Sequence, residues 1–344
     1  MKAVHAIWRT EPRDYKRTPS HQDWNKETTI EGQLTIEDTT FPLVLLPSND
    51  LDNEFILQKI EISNEWLDNV LIKHGAILFR NFPVKSPSDF NDFVTACGYH
   101  NLPVGGTIRQ WVVGNVFSVN EFSPDKEIPF HHEMSHIPLH PNHLFFYCEI
   151  PGSVGGETPI LLSWLLYDKA LKRIPEFINE LEEKGVKYVR FLLEKDDPNS
   201  AMSRGWKSTY ATEDKVIAET KCRDAGGTFE WVTIEDEVVM KTTSAVQPAV
   251  RLDNRSGRKV FFNSLIATYM GRQDHHKERR GEVLFGDGGK IDPEHINVIL
   301  EIIRDITADF KWCAGDVLVI DNKLTMYSRK RFKNPRKIYA SLAL

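Results

Sequence analysis

His131 and Glu133 stand two residues apart in the run Ile128-Pro129-Phe130-His131-His132-Glu133-Met134. On an extended strand side chains alternate with period two, so both project from one face and can converge on a single ion. An imidazole and a carboxylate so arranged supply two-thirds of the facial triad that holds non-haem Fe(II) and leaves positions open for oxygen and an organic co-substrate. His132 then faces the other way and reads as structural. The third ligand has to come from elsewhere; His136, His140 and His143 follow closely and are candidates, although surface or core histidines are the commoner identity for each.

The elements that must position this pair can be traced along the chain. Glu54–Lys73 carries helical spacing in Ile56, Ile60, Trp66, Leu67 and Val70 and passes into the strand-like Ala76-Ile77-Leu78-Phe79. Ser86-Pro87-Ser88-Asp89 reads as a helix start with Ser86 as cap, and Phe90, Phe93, Val94 and Cys97 share one face before a stop near Gly98. From Val112 to Ile160 the pattern is short β-rich runs separated by Pro and Gly, and the His-x-Glu pair sits among them. Ser163 to Gly185 reads as helix restarted at Pro175, Val186–Phe191 as strand, and the stretch after Asp292-Pro293 as an amphipathic helix carrying Ile296, Ile299, Leu300 and Ile303. Val317–Ile320, Leu324–Tyr327 and Ile338–Leu344 close the chain as strands. Strands interrupted by helical insertions suit a mainly β fold, a jelly-roll barrel decorated by helices. A doubly wound nucleotide fold fits poorly, and Gly286-Asp287-Gly288-Gly289 lacks phosphate-loop spacing and reads as a turn.

With 344 residues, 41% hydrophobic and 27% charged, the chain can bury a sizeable core. No repeat or Gly/Ser linker marks a boundary, so one domain over 1–344 is expected, with 1–70 as an N-terminal extension and helix and about 163–225 as a helical insertion. A net charge of −6 argues against a general nucleic-acid binder, since phosphate contacts need a basic surface. Cys97, Cys148, Cys222 and Cys313 lie far apart without a C-x-x-C, which fits reduced thiols in a cytoplasmic protein. The opening residues lack an apolar core of the secretory kind, and no apolar run reaches membrane-span length.

His74-Gly75-Ala76-Ile77-Leu78-Phe79-Arg80-Asn81-Phe82, Phe130–Met134, Gly155-Gly156-Glu157-Thr158-Pro159 and Gly315–Asn322 together resemble the TauD/TfdA family, in particular its clavaminate synthase-like branch. The likeness runs from about Leu71 to the C-terminus in family order. It implies a double-stranded β-helix and Fe(II)- and 2-oxoglutarate-dependent oxidation of a small molecule by molecular oxygen. His131 and Glu133 fall on the first two iron ligands. Thr158 falls where the family's threonine bonds the 2-oxoglutarate carboxylate, although a hydroxyl satisfying a turn explains it nearly as well. Asn120 falls on a position lining the cavity; Asn263 could face it too, or simply end a strand. Substrate selection is expected from mouth loops around Arg109, Trp111, Arg204 and Trp206, with packing of the insertion the simpler role for Trp206.

Two departures from the family pattern stand in one segment. Where the distal histidine is expected, before Ser328-Arg329, the chain has Tyr327. The closing arginine pair reads Arg336-Lys337, so the grip on the far carboxylate of 2-oxoglutarate falls on Lys337, with Arg336 able to take it after a one-residue shift. A phenol, with an ordinary pKa of about 10, is a poor Fe(II) ligand unless the metal drives deprotonation, whereas ferric iron takes phenolate well. Tyr327 therefore permits three outcomes: a ligand that alters the iron, a two-residue site completed by water or another histidine, or loss of the metal. Two functions follow. One is an iron oxygenase acting on a small amino-acid-like or carboxylate-bearing metabolite through an atypical His/Glu/Tyr site. The other is a pseudoenzyme that binds a small anionic ligand in the same barrel. Nothing in the sequence fixes the oligomeric state.

Overall fold

The computed structural model describes residues 24–48, 53–62, 64–102, 110–119, 123–137, 139–196, 205–271 and 281–344. Two β-sheets face each other. The larger has eight strands in the order Asn25–Thr28, Leu43–Pro47, Ala76–Phe79, Val317–Asp321, His143–Ile150, Lys337–Ala343, Val116–Ser118 and Trp111–Val113. The smaller has three, Ile160–Leu162, Thr325–Arg329 and Ile128–His131. Among the described residues, only one neighbouring pair, Leu43–Pro47 with Ala76–Phe79, is parallel. This is the jelly-roll barrel the pattern of short strands suggested.

Period-two alternation sorts the side chains into layers. Leu318 and Ile320 turn inward with Leu144, Phe146 and Cys148 to meet Ile160 and Leu162 of the smaller sheet. Val317 and Val319 turn outward with Phe145 and Tyr147 beneath the helices Asn64–His74 and Pro87–Ala96. Behind the smaller sheet, Leu161 and Met326 pack on Ser163–Arg173, Pro175–Lys184 and Pro293–Ile306. Because helices cover both outer faces, the central strands are apolar on both sides, which explains runs such as Val317-Leu318-Val319-Ile320.

Helix boundaries follow local chemistry. Ser86 Oγ accepts from Asp89 N at the start of Pro87–Ala96, and Asp292 does the same for Glu294 N before Pro293–Ile306. Gly185, at φ 63°, ends Pro175–Lys184. The single helix expected over Glu54–Lys73 is two, Asn53–Ile62 and Asn64–His74. The insertion also carries more strand than expected. Val186–Leu192 lies in a four-stranded sheet with Thr228–Ile234, Glu237–Thr243 and Glu282–Phe285. Trp206, 2% exposed, packs edge-on against Trp231 there and so has the packing role. No helix among the described residues is long and apolar enough to cross a membrane.

Asn322, fully buried at the end of Val317–Asp321, ties the two sheets together. Its Oδ1 accepts from Glu133 N at 2.9 Å, and its Nδ2 donates to Glu133 O at 3.1 Å and Pro141 O at 2.8 Å. Its carbonyl accepts from His132 Nδ1. Beside it, buried Asp321 takes Arg255 Nη1 at 2.7 Å and the backbone N–H of Lys323 at 2.9 Å. Replacing Asn322 with Ala strands a buried backbone N–H and two carbonyls, so we expect N322A to cost about 3 kcal/mol in chemical denaturation. A loss below about 1 kcal/mol would mean that water replaces the amide.

Candidate active site

The strand Ile128–His131 ends at His131, and Glu133 lies in the turn that follows, where Met134 takes φ 57°. The two side chains therefore do not converge by strand alternation. They converge because Asn322 pins the Glu133 backbone on both sides. His131 Nδ1 lies 2.8 Å from Pro129 O. A carbonyl can only accept, so Nδ1 carries the proton and Nε2 presents its lone pair. Nε2 stands 3.8 Å from Glu133 Oε2, and both side chains are largely buried.

Tyr327 is directly opposite His131 in the antiparallel pair. Its hydroxyl donates to Glu133 Oε2 at 2.6 Å, and its ring lies 4.4 Å from the His131 ring and 5.3 Å from that of Phe146. Three potential donor atoms (an imidazole nitrogen, a carboxylate oxygen and a phenol oxygen) thus share one corner of the barrel. Such a nitrogen-and-oxygen set fits a first-row metal ion, with the phenol biased toward the ferric state. No group of three His, Cys, Asp or Glu that could hold a metal exists among the described residues. His140 instead accepts from Arg251 at 3.0 Å, and His143 stacks on Tyr99 at 3.9 Å.

His132 has the structural role expected of it. Its Nδ1 donates to Asn322 O, its Nε2 accepts from Ser163 Oγ at 2.7 Å, and full burial pushes its pKa down to about 3, keeping the ring neutral. Asn263 is likewise structural, donating to Ala249 O and accepting from Leu265 N.

A second corner forms where Val154–Gly155 pairs with Phe332–Lys333. Gly156, at φ 81°, is tight against Arg336, whose Cδ would stand 2.8 Å from an added Cβ. Arg336 Nε donates to Gly156 O at 2.9 Å. The Arg336 and Arg329 guanidinium groups lie 5.1 and 5.2 Å from the Phe332 ring centroid. Burial, reinforced for Arg336 by Arg329, pulls both pKa values down to about 10. Two residues beyond Gly156, buried Thr158 accepts from Trp312 Nε1 at 3.1 Å. The expectation that Lys337 faces this pocket is corrected. Its side chain is 55% exposed with Nζ 3.5 Å from Glu149. Arg336, just before the strand Lys337–Ala343, is instead 5% exposed and held by Gly156 O, and the ladder to His143–Ile150 is irregular between Lys337 and Ile338.

Sequence reasoning missed Trp312, which no motif flagged, and the clamping role of Asn322, which was read only as part of a fold motif. Alternation along the strand could not have chosen Arg336 over Lys337, because the ladder is irregular there. Asn120, Arg109 and Arg204 lie outside the described residues; Trp111 is 52% exposed on the edge strand of the large sheet.

A family model described as taurine catabolism dioxygenase TauD, TfdA family matches residues 47–342. A clavaminate synthase-like protein of Arabidopsis thaliana is 43% identical over 324 residues, covering 92% of this chain and 97% of that relative. The dapdiamide synthesis protein DdaC of Enterobacter agglomerans is 25% identical over 294 residues, covering 81% and 85%. In fold, the chain is similar to PvcB of Pseudomonas aeruginosa, with a TM-score of 0.52, 14% identity and coverage of 95% and 93%. PvcB is an Fe, alpha-ketoglutarate dependent oxygenase from an isonitrile synthetic pathway. With the motifs in family order, the two facing sheets of the jelly roll and a family match over most of its length, this chain belongs to the TauD/TfdA dioxygenase family.

Proposed function

We propose that the protein is an iron- and 2-oxoglutarate-dependent oxygenase of a small, amino-acid-like or carboxylate-bearing metabolite, with His131, Glu133 and Tyr327 as the metal-binding set. One observation carries this reading: Tyr327 Oη is 2.6 Å from Glu133 Oε2, which is itself 3.8 Å from His131 Nε2. Iron held there would supply oxygen activation, with 2-oxoglutarate as the electron source that would leave as succinate and carbon dioxide. The chain's own residues prepare the site. Pro129 O fixes the His131 tautomer, Asn322 fixes the Glu133 backbone, and the Tyr327 hydroxyl donates to Glu133, which holds together the two oxygens that would bind a cation. Thr158 and Arg336 supply the grip on the oxoacid's far carboxylate, and the charge on Arg336 offsets that of the anion. The small-metabolite substrate class is proposed from the relatives, one named for dapdiamide synthesis and one as clavaminate synthase-like. Three of the four free cysteines are buried, which suits a cytoplasmic location.

The Tyr327–Glu133 hydrogen bond also satisfies both partners without a metal, which favours the pseudoenzyme as the second reading. Anaerobic Fe(II) titration of metal-free protein, with and without 2-oxoglutarate, separates the two. Stoichiometric iron binding followed by succinate release on admitting oxygen is the expected result, and absence of iron binding leaves the pseudoenzyme. Tyr327→Phe should weaken iron roughly ten-fold or more and abolish any phenolate-to-iron visible band after oxidation, while Tyr327→His should strengthen Fe(II) binding. Iron affinity that is equal in all three proteins would remove residue 327 from the metal. On the oxoacid side, Arg336→Lys should raise the 2-oxoglutarate Kd about ten-fold by losing the planar fork. Lys337→Ala should leave it unchanged, because that side chain is exposed and meets Glu149 at the surface. The reverse pattern in calorimetric titrations would return the grip to Lys337.

A further inference from the structure

We propose that Trp312 is a positioning residue that fixes the Thr158 hydroxyl as a hydrogen-bond donor to the distal carboxylate of the co-substrate. This rests on the oxoacid reading given above and deepens it.

An indole N–H can only donate, whereas a hydroxyl carries one proton and two lone pairs. The 3.1 Å contact between Trp312 Nε1 and Thr158 Oγ1 therefore has one polarity: Thr158 accepts. Its own proton must point elsewhere, and among the described residues no side chain or carbonyl receives it. Thr158 is 4% exposed and Trp312 7%, so bulk water does not readily take the role of acceptor. A buried hydroxyl proton without an acceptor is unfavourable, and the unfavourable term vanishes when an anion arrives.

The Trp312 ring is braced for this task. It stands edge-on to Phe310 at 5.7 Å and belongs to the inner core with Leu318 and Ile338. The Arg336 guanidinium borders the same corner through Gly156 O. One charged donor and one neutral donor of fixed polarity accept a carboxylate and disfavour a methyl group, which satisfies neither. Without the indole N–H, the Thr158 hydroxyl is free to rotate, and its preference for donating into the pocket is lost.

The test is calorimetric titration of iron-loaded protein under nitrogen with 2-oxoglutarate and with 2-oxopentanoate, in which a methyl group replaces the distal carboxylate. Trp312→Phe keeps an aromatic ring, though a smaller one, and removes the N–H. We expect 2-oxoglutarate to bind about ten-fold more weakly to W312F, 2-oxopentanoate to bind as it does to the wild type, and W312F to add nothing once Thr158→Val is present. Unchanged 2-oxoglutarate affinity in W312F, an equal loss for both acids, or a further loss in the T158V background would overturn the positioning role. Should W312F fail to fold, the Trp312 indole N–H resonance of zinc-loaded wild-type protein gives a second measure. It should move on adding 2-oxoglutarate and not on adding 2-oxopentanoate, and an equal response to both would overturn the role as well. Wild-type protein that ignores 2-oxoglutarate altogether would sink the oxoacid reading and this inference together.

Discussion

Asn322 is the point at which a turn and a sheet are made into one rigid object. The turn after His131 leaves the sheet, so its backbone groups lose their ladder partners in a region from which water is excluded. One buried amide replaces them, bonding Glu133 on both its N–H and its carbonyl and reaching Pro141 with the remaining donor. Its own carbonyl receives His132, whose ring is kept neutral by burial and bridged to Ser163. Rotation of Glu133 by one position would break several of these bonds at once. The backbone hydrogen bonds therefore aim the carboxylate, which accepts from the Tyr327 hydroxyl.

His131 faces Tyr327 across an antiparallel pair whose register is set by residues far from the chemistry. Met326 must be buried with Leu161 against the helices behind the smaller sheet, and a one-residue slip would exchange it with Tyr327. Apolar packing on one face thus dictates the position of a phenol on the other. In the large sheet, Ile338, Ala340 and Leu342 fill the inner core, and Arg336 is buried just before them. Arg336 stays in place because Gly156, without a side chain and at φ 81°, leaves room for it.

The two corners of the barrel differ in electrostatic character. The first gathers acceptors: an imidazole lone pair, a carboxylate and a phenol oxygen. The second gathers donors: the Arg336 guanidinium and a hydroxyl polarised by an indole. Acceptors complement a cation and donors an anion, which is the physical basis of the proposed function. That division arises from two different segments between the sheets, 129–134 and 154–158, held against a single C-terminal stretch, 325–338.

Much of this could be read before the structure was known, because it depends on local chemistry. Alternation, the cap at Ser86, the stop at Gly185 and the order of four motifs gave the jelly roll, the helices and the family, and they singled out His131, Glu133, Thr158 and Tyr327. Two hairpins were invisible, Leu34–Ile36 to Thr39–Phe41 and Thr228–Ile234 to Glu237–Thr243. Both turn on a Glu-Asp pair at positive φ, where Asn-Gly or Asp-Gly is the recognisable signal, and the tertiary sheet overrides the local preference. Which of Arg336 and Lys337 faces inward, how Glu133 reaches His131 from outside the strand, and that Trp312 meets Thr158 across 154 residues were decided only by tertiary structure. Residue types and periodicities are local properties of the chain, whereas the direction of a hydrogen bond between distant segments exists only once the sheets have packed.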